Sequence, residues 1–198
     1  MSKADLSLIQ KLREISGLGM LDCKKALEEA GNDLDRAIEL LRKKGAAVAA
    51  KRADKGTSEG IIHAYIHPGS QIGVLIEINC ETDFVAKLDE VKTFAHDVCL
   101  QIAALKPQFL APEDVDPAFL EKEREILAAQ LKDSGKPANM LDKIVEGRIS
   151  KLYSEICLLN QPFLKNDKFT VAEAAKELIG KTGENIKIKR FARFEIGA

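Results

Sequence analysis

A chain of 198 residues of which 45% are hydrophobic has enough apolar material for one medium domain or two small ones, which excludes a disordered tail and predicts a folded protein. Lys and Arg number 30 against 31 Asp and Glu, so the formal net charge of −1 gives no global pull toward nucleic acid or anionic membrane. Cys23, Cys80, Cys99 and Cys157 lie far apart, with no Cys-x-x-Cys pair and no disulfide framework, and read as reduced thiols in a cytoplasmic compartment with no zinc site. Met1 leads almost at once into a helix pattern without the marks of a signal or transit segment, and no apolar run approaches membrane-spanning length.

In chain order, Leu8, Ile9, Leu12 and Ile15 make a first helical stripe, which Ser16-Gly17-Leu18-Gly19 stops, because two close glycines favour a tight turn. Cys23, Ala26, Leu27 and Ala30 make a second stripe, ended by Gly31. Asn32 or Asp33 caps a third, carried by Leu34, Ala37, Ile38 and Leu41. Three short helices with one apolar face each bury those faces against one another, which predicts a small three-helix bundle over residues 4–45. From Arg42 the chain passes through an alanine-rich run, and from Lys51 to Gly60 large apolar residues are absent. This stretch reads as a linker, helical in its alanine-rich part and looser after Gly56, with basic residues that either stay solvated or meet phosphates or an acidic partner face. The domain boundary is accordingly placed between residues 1–55 and residues 56–198.

The second domain opens with a hairpin. Gly60 to His67 is one strand, Pro68-Gly69-Ser70-Gln71 the turn, and Ile72 to Asn79 the returning strand, with Ile72, Val74, Ile76 and Ile78 on one face. Around Glu81-Thr82-Asp83-Phe84 the period changes from two to three and four. Leu88, Val91, Ala95, Val98, Ile102 and Leu105 then form one helix stripe that ends before Pro107, and Thr82 caps that helix. Asp116-Pro117 starts a further helix with Phe119, Leu120, Ile126, Leu127 and Leu131 on its apolar side, and residues 133–137 break it. A long helix from about residue 138 to 160 follows. Thr170-Val171-Ala172-Glu173 is a capping box for a last helix closed by Gly180. Residues 186–196 alternate again, with Ile186, Ile188, Ala192, Phe194 and Ile196 on one face, and give a third strand. The fold class is α+β.

Most enzyme chemistry is absent from this pattern. There is no phosphate-cradling Gly-x-x-x-x-Gly-Lys loop, Gly17-Leu18-Gly19 has no strand before it, and there is no Gly-x-Ser-x-Gly elbow. His96 and Cys99, three apart on one helix, fit packing better than a ligand pair. Cys80 sits near carboxylates that would raise its pKa and blunt it as a nucleophile. Phe84 lies four residues before Leu88, in phase with the stripe, so on pattern alone burial in its own core is the default reading, and composition and periodicity do not settle it.

The run Leu12-Arg13-Glu14-Ile15-Ser16-Gly17-Leu18-Gly19-Met20-Leu21-Asp22-Cys23-Lys24-Lys25-Ala26-Leu27 resembles the N-terminal signature of the elongation factor Ts family. Glu77-Ile78-Asn79-Cys80-Glu81-Thr82-Asp83-Phe84-Val85-Ala86 is similar to the family's second signature. Residues 145–148, 155–163 and 170–194 add further similar stretches. The resemblance implies a non-enzymatic nucleotide exchange factor for the translation GTPase elongation factor Tu, with no cofactor or metal and no catalytic residue. It implies a ubiquitin-associated-like N-terminal bundle that docks on the GTPase, with Gly17, Gly19, Met20, Asp22, Cys23, Lys24 and Lys25 at the docking position. It also implies a core of antiparallel sheet with helices. Asp83 and Phe84, flanked by Thr82 and Val85, would enter the GTPase near its magnesium site so that GDP leaves. Compared with long members, the chain carries one set of core strands and ends at Ala198 without the C-terminal helical module, so it resembles the short bacterial or organellar form. One open sheet face then predicts a homodimer, as in short members of the family, with Phe191 as a candidate interface residue. A ubiquitin-associated-type adaptor and an RNA-binding protein using the basic linker are the competing readings.

Overall fold

The computed structural model describes residues 4–132 and 138–197; the helix break read at 133–137 and the side chain of Leu131 lie outside the described residues. The N-terminal bundle consists of α1 (Leu6–Ser16), α2 (Met20–Ala30) and α3 (Leu34–Arg52). Asp5 caps α1 by accepting from the Ser7 amide, and Asp33 caps α3 by accepting from the Arg36 amide at 3.0 Å. Gly17 ends α1 in the left-handed region at φ 67°, where a Cβ would be strained, and its amide donates to the Arg13 carbonyl. Ile9, Leu12, Cys23, Ala26, Leu27, Ala30, Ala37 and Leu41 form one buried cluster, so the predicted stripes do meet.

The third helix runs past the predicted bundle edge through the alanine-rich stretch. Midway it crosses α8 (Val171–Thr182), where Gly45 and Gly180 let two backbones touch: a Cβ on Gly180 would sit 2.7 Å from the Gly45 Cα. Arg42 adds an ion pair to Glu177 at 3.6 Å. The stretch read as a solvated connector is therefore held along much of its length.

The central sheet has β1 (Glu59–Ile66), β2 (Ile72–Cys80) and β5 (Ile186–Glu195) in the order β1-β2-β5. In β2 the buried residues are Val74, Ile76, Ile78 and Cys80, the face expected from the alternation. β5 departs from its pattern. Ile186 and Ile188 point inward, but Lys189 and Arg190 are both exposed and the phase reverses beyond them. Arg193 then turns toward α5 (Asp89–Leu105), donating to the Ala103 carbonyl at 3.3 Å and pairing with Glu195 at 2.8 Å. Phe194 and Ile196, expected beside Ile186, stand out in solvent instead, Phe194 at 68% exposure, while Phe191 is only half-exposed.

α5 ends at Leu105, with Lys106 at φ 49° before Pro107. Asp116 caps α6 (Pro117–Lys132) by accepting from the Ala118 amide, and α6 packs on α7 (Ala138–Ile156) through Leu127, Leu141, Ile144, Val145, Ile149 and Leu152. The sequence reading missed a two-stranded ribbon of β3 (Pro162–Phe163) and β4 (Asn166–Thr170), antiparallel with an irregular register. Two buried amides pin it: Gln101 donates to Gln161 and to the Pro162 carbonyl and accepts from the Leu164 amide, while Gln161 donates to the Glu155 carbonyl. Thr170 and Glu173 form the predicted capping box at 3.2 and 2.8 Å.

By compactness the chain divides into residues 1–61, 78–92 and 175–188 in one unit and residues 62–77, 93–174 and 189–198 in the other. The first unit holds the bundle, the corner after β2 and most of α8.

Candidate partner-docking site

At the end of β2 the backbone stays extended through Thr82 (φ −127°, ψ 156°) and then closes into α4 (Asp83–Ala86), a single turn. The expected continuous helix is instead two pieces, because Lys87 terminates α4 and α5 begins at Asp89. That break decides the ring. Val85 and Ala86 turn inward and are buried, and Phe84 is left 78% exposed, off the stripe that Val91, Ala95, Val98 and Ile102 continue.

Each polar side chain of the corner has a definite partner. The Thr82 hydroxyl accepts from the Val85 amide at 3.4 Å and donates to Glu184 Oε1 at 2.8 Å, and the Thr82 amide donates to Glu184 Oε2 at 3.0 Å. Glu81 accepts from the Asn185 amide at 2.6 Å and from Arg52 at 3.1 Å. Asn185 is buried and donates through Nδ2 to the carbonyls of Ala53 and Lys55, at 3.3 and 2.8 Å. Asp83 is paired with Lys87 at 2.6 Å, and that hydrogen bond holds its carboxyl below the usual carboxylate range. Sequence reasoning did not find Glu184, Asn185 or Arg52 as part of this corner. Glu184 lies 102 residues from Thr82, and neither a periodic pattern nor a local motif encodes such a pairing.

Cys80, directly below, is fully buried, and its thiol is pushed up to about 11, by burial first and by the Glu184 charge second. It is no nucleophile at neutral pH. Cys99 is likewise buried and pushed up to about 12, and His96 contacts His63 and Tyr65 instead of Cys99, with ring centroids 5.6 and 5.5 Å apart. Among the described residues no group of three or more His, Cys, Asp or Glu side chains is arranged to hold a metal ion, and no helix is long and apolar enough to cross a membrane.

In the bundle, Gly17 and Gly19 form the turn between α1 and α2, and Gly19 caps α2. Met20 and Leu21 stand out in solvent just after it, and Lys24 and Lys25 are exposed on the same helix. Asp22 is paired with Lys44 of α3, and Lys24 lies 3.8 Å from Glu28. Cys23 is different. It is wholly buried, its sulfur 3.6 Å from the Ser16 hydroxyl and 3.8 Å from the Leu18 carbonyl, so it fastens the turn from beneath and has no surface of its own.

A sequence model of the family described as "Elongation factor TS" matches residues 20–198. The chain is 57% identical over 190 residues to elongation factor Ts of Carboxydothermus hydrogenoformans, covering 96% of this chain and 88% of the relative. It is 54% identical to that of Thermotoga petrophila, covering 97% and 96%, and 50% identical to that of Desulfosudis oleivorans over the full length of both. With a mixed helix and sheet fold, an exposed Asp-Phe corner and identity of this order along the whole chain, the protein belongs to the elongation factor Ts family.

Proposed function

We propose that this chain is a guanine-nucleotide exchange factor for elongation factor Tu, and that its working element is the Asp83-Phe84 corner. The observation that carries this reading is Phe84: a large apolar ring at 78% exposure, on a one-turn helix whose neighbours Val85 and Ala86 are buried. A ring held out of its own core in this way suits insertion into a preformed gap of a partner. In the proposed mechanism the ring and the Asp83 carboxylate enter the GTPase near its magnesium site. The factor then binds the nucleotide-free state more tightly than the GDP-bound state, and linkage requires GDP to weaken the factor's binding by the same ratio. No covalent bond changes. The bundle supplies a second contact through the region of Gly17, Gly19, Met20, Asp22, Lys24 and Lys25, with Cys23 as its internal support.

Two copies are proposed to pair through the outer face of the central sheet. Ile62 and Ile66 of β1, Leu75 of β2, and Phe194 and Ile196 at the end of β5 are all exposed. A Cβ on Gly73 would meet Ile66 Cδ1 at 3.2 Å, which places Ile66 over the Leu75 side of β2. These residues replace Phe191 as the candidate contacts.

The test is release of a fluorescent GDP analogue from elongation factor Tu with rising factor concentration. Faster release that saturates supports the reading. Release unchanged by stoichiometric factor overturns it.

A further inference from the structure

We infer that Glu184, with Glu81 beside it, is a positioning residue for exchange: the two carboxylates hold the Thr82–Phe84 corner in its presented conformation and tie it to the end of α3. The inference rests on the exchange reading above and names side chains that the Asp-Phe corner does not contain.

The argument begins with the Thr82 hydroxyl. An N-cap hydroxyl is useful only if a lone pair faces the helix amides, and a free hydroxyl rotates. Here Glu184 Oε1 takes the hydroxyl proton at 2.8 Å, which aims the remaining lone pairs toward the Val85 amide. The same carboxylate takes the Thr82 amide through Oε2, so one side chain fixes both the backbone entry into α4 and its cap. The helix so fixed is one turn long and is not viable alone. Without its cap, α4 keeps Phe84 outward only through the burial of Val85 and Ala86 and the Asp83–Lys87 pair.

Glu81 performs the matching task one residue earlier. Its Oε1 receives the Asn185 amide and its Oε2 receives Arg52, the last residue of α3, with the Glu81 side chain only 16% exposed. Asn185, adjacent to Glu184 in sequence, closes the loop by donating to the carbonyls of Ala53 and Lys55. Thus the turn after α8 carries two neighbouring residues, of which one grips the corner and the other grips the end of the bundle's third helix. Charge-assisted hydrogen bonds of this kind are shorter and stronger than neutral ones.

Four proteins test this in the GDP-release assay: wild type, Glu184→Gln, Phe84→Ala and the double variant, with Glu81→Gln as an independent second probe. A glutamine keeps the size of the side chain but removes the charge: at Glu184 its NH2 would donate to the Thr82 hydroxyl and compete with the Val85 amide for that oxygen, and at Glu81 it would face a donor, the Asn185 amide or Arg52. We expect Glu184→Gln to slow GDP release at saturating factor by roughly tenfold, with a melting temperature near that of wild type. The double variant is expected to be no slower than Phe84→Ala, since the carboxylate acts through the ring. Glu184→Asp, which retains the charge, recovers part of the rate. If Glu184→Gln slows release equally with and without the ring, or alters only the half-saturating concentration, the positioning role is overturned. Should Glu184→Gln fail to fold, Glu81→Gln and Thr82→Val are read in the same cycle, and full saturating rates in both overturn the inference. Failure of the exchange reading is seen separately, as a wild-type factor that does not speed release.

Discussion

Phe84 carries the largest consequence of any single residue. Its exposure means that Phe84→Ala removes nothing from the core, so the melting temperature stays within a few degrees of wild type. Burying such a ring in a partner is worth roughly 1.5–3 kcal/mol, which at about 1.4 kcal/mol per tenfold predicts a loss of about ten- to a hundredfold in affinity for the nucleotide-free GTPase. Paired melting and GDP-release curves check this, and a variant that melts far lower with unchanged release would place the ring in the core after all. Asp83→Ala acts on the same step and is expected to be milder, its carboxylate being already satisfied by Lys87. The pattern favours a buried Phe84 because its spacing to Leu88 is helical, and only the interruption at Lys87 and Leu88 takes both residues off the buried stripe. A second residue-scale prediction concerns pH. His63 is held below its ordinary 6.5, by burial first and by the neighbouring His96 second. Its neutral form is the one favoured in the fold. The stability this contributes is present above pH 6.5 and is lost as pH falls through the lowered folded value. The His63 ring should titrate below 6.5 by NMR, and the urea midpoint of the wild type should fall between pH 7 and pH 5.5 more steeply than that of His63→Gln.

At the scale of elements, helix caps and the period of β2 were legible because each is written in a few adjacent residues. Asp33, Asp116 and the Thr170–Glu173 box all act as read. What was not legible depends on distant partners. The ribbon of β3 and β4 is too short to show a period and is pinned by Gln101, some sixty positions away. The reversal in β5 accompanies Arg193 and Glu195 finding the Ala103 carbonyl on α5 and Lys106 just past its end, which no alternation rule foresees. The crossing of α3 and α8 was hidden for the same reason, and it makes an asymmetric prediction. Gly180→Ala drives a methyl to 2.7 Å from the Gly45 Cα, against backbone that yields poorly, and should destabilise by about 1–3 kcal/mol. A Cβ on Gly45 meets the Gly180 Cα at an ordinary 3.7 Å, so Gly45→Ala should be neutral or stabilising by up to about 1 kcal/mol through helix propensity. Urea denaturation of the two single variants checks both signs.

For the whole molecule, the boundary proposed at residue 55 cuts through contacts that the corner uses. Deleting residues 1–33 removes α1 and α2, and should weaken binding to the GTPase while the saturating rate of GDP release is kept, because the two contacts act additively through one chain. Deleting residues 1–55 also removes Arg52 and the carbonyls that hold Asn185, and should lower both the melting temperature and the saturating rate. If the shorter deletion folded and bound fully yet released no GDP, this division would fail. Assembly belongs to the same scale. Sedimentation at micromolar concentration should give twice 21.7 kDa for the wild type and 21.7 kDa for Phe194→Asp, whose charge would be buried in the proposed interface. A monomeric wild type would refute the pairing.

The contact of Gly45 with Gly180 also gives α3 the mechanics of a lever. At about 1.5 Å of rise per residue, the helix extends about 16 Å from this contact to Leu34 and about 10 Å to Arg52. Pivoting rigidly on the crossing, a sideways shift at the bundle end reappears at the Arg52 end reversed and reduced to about two-thirds. Arg52 stands 3.1 Å from Glu81, so a tilt of a few degrees suffices to strain or relieve that pair. A load placed on the bundle would in this way be felt, geared down, where the ring is held.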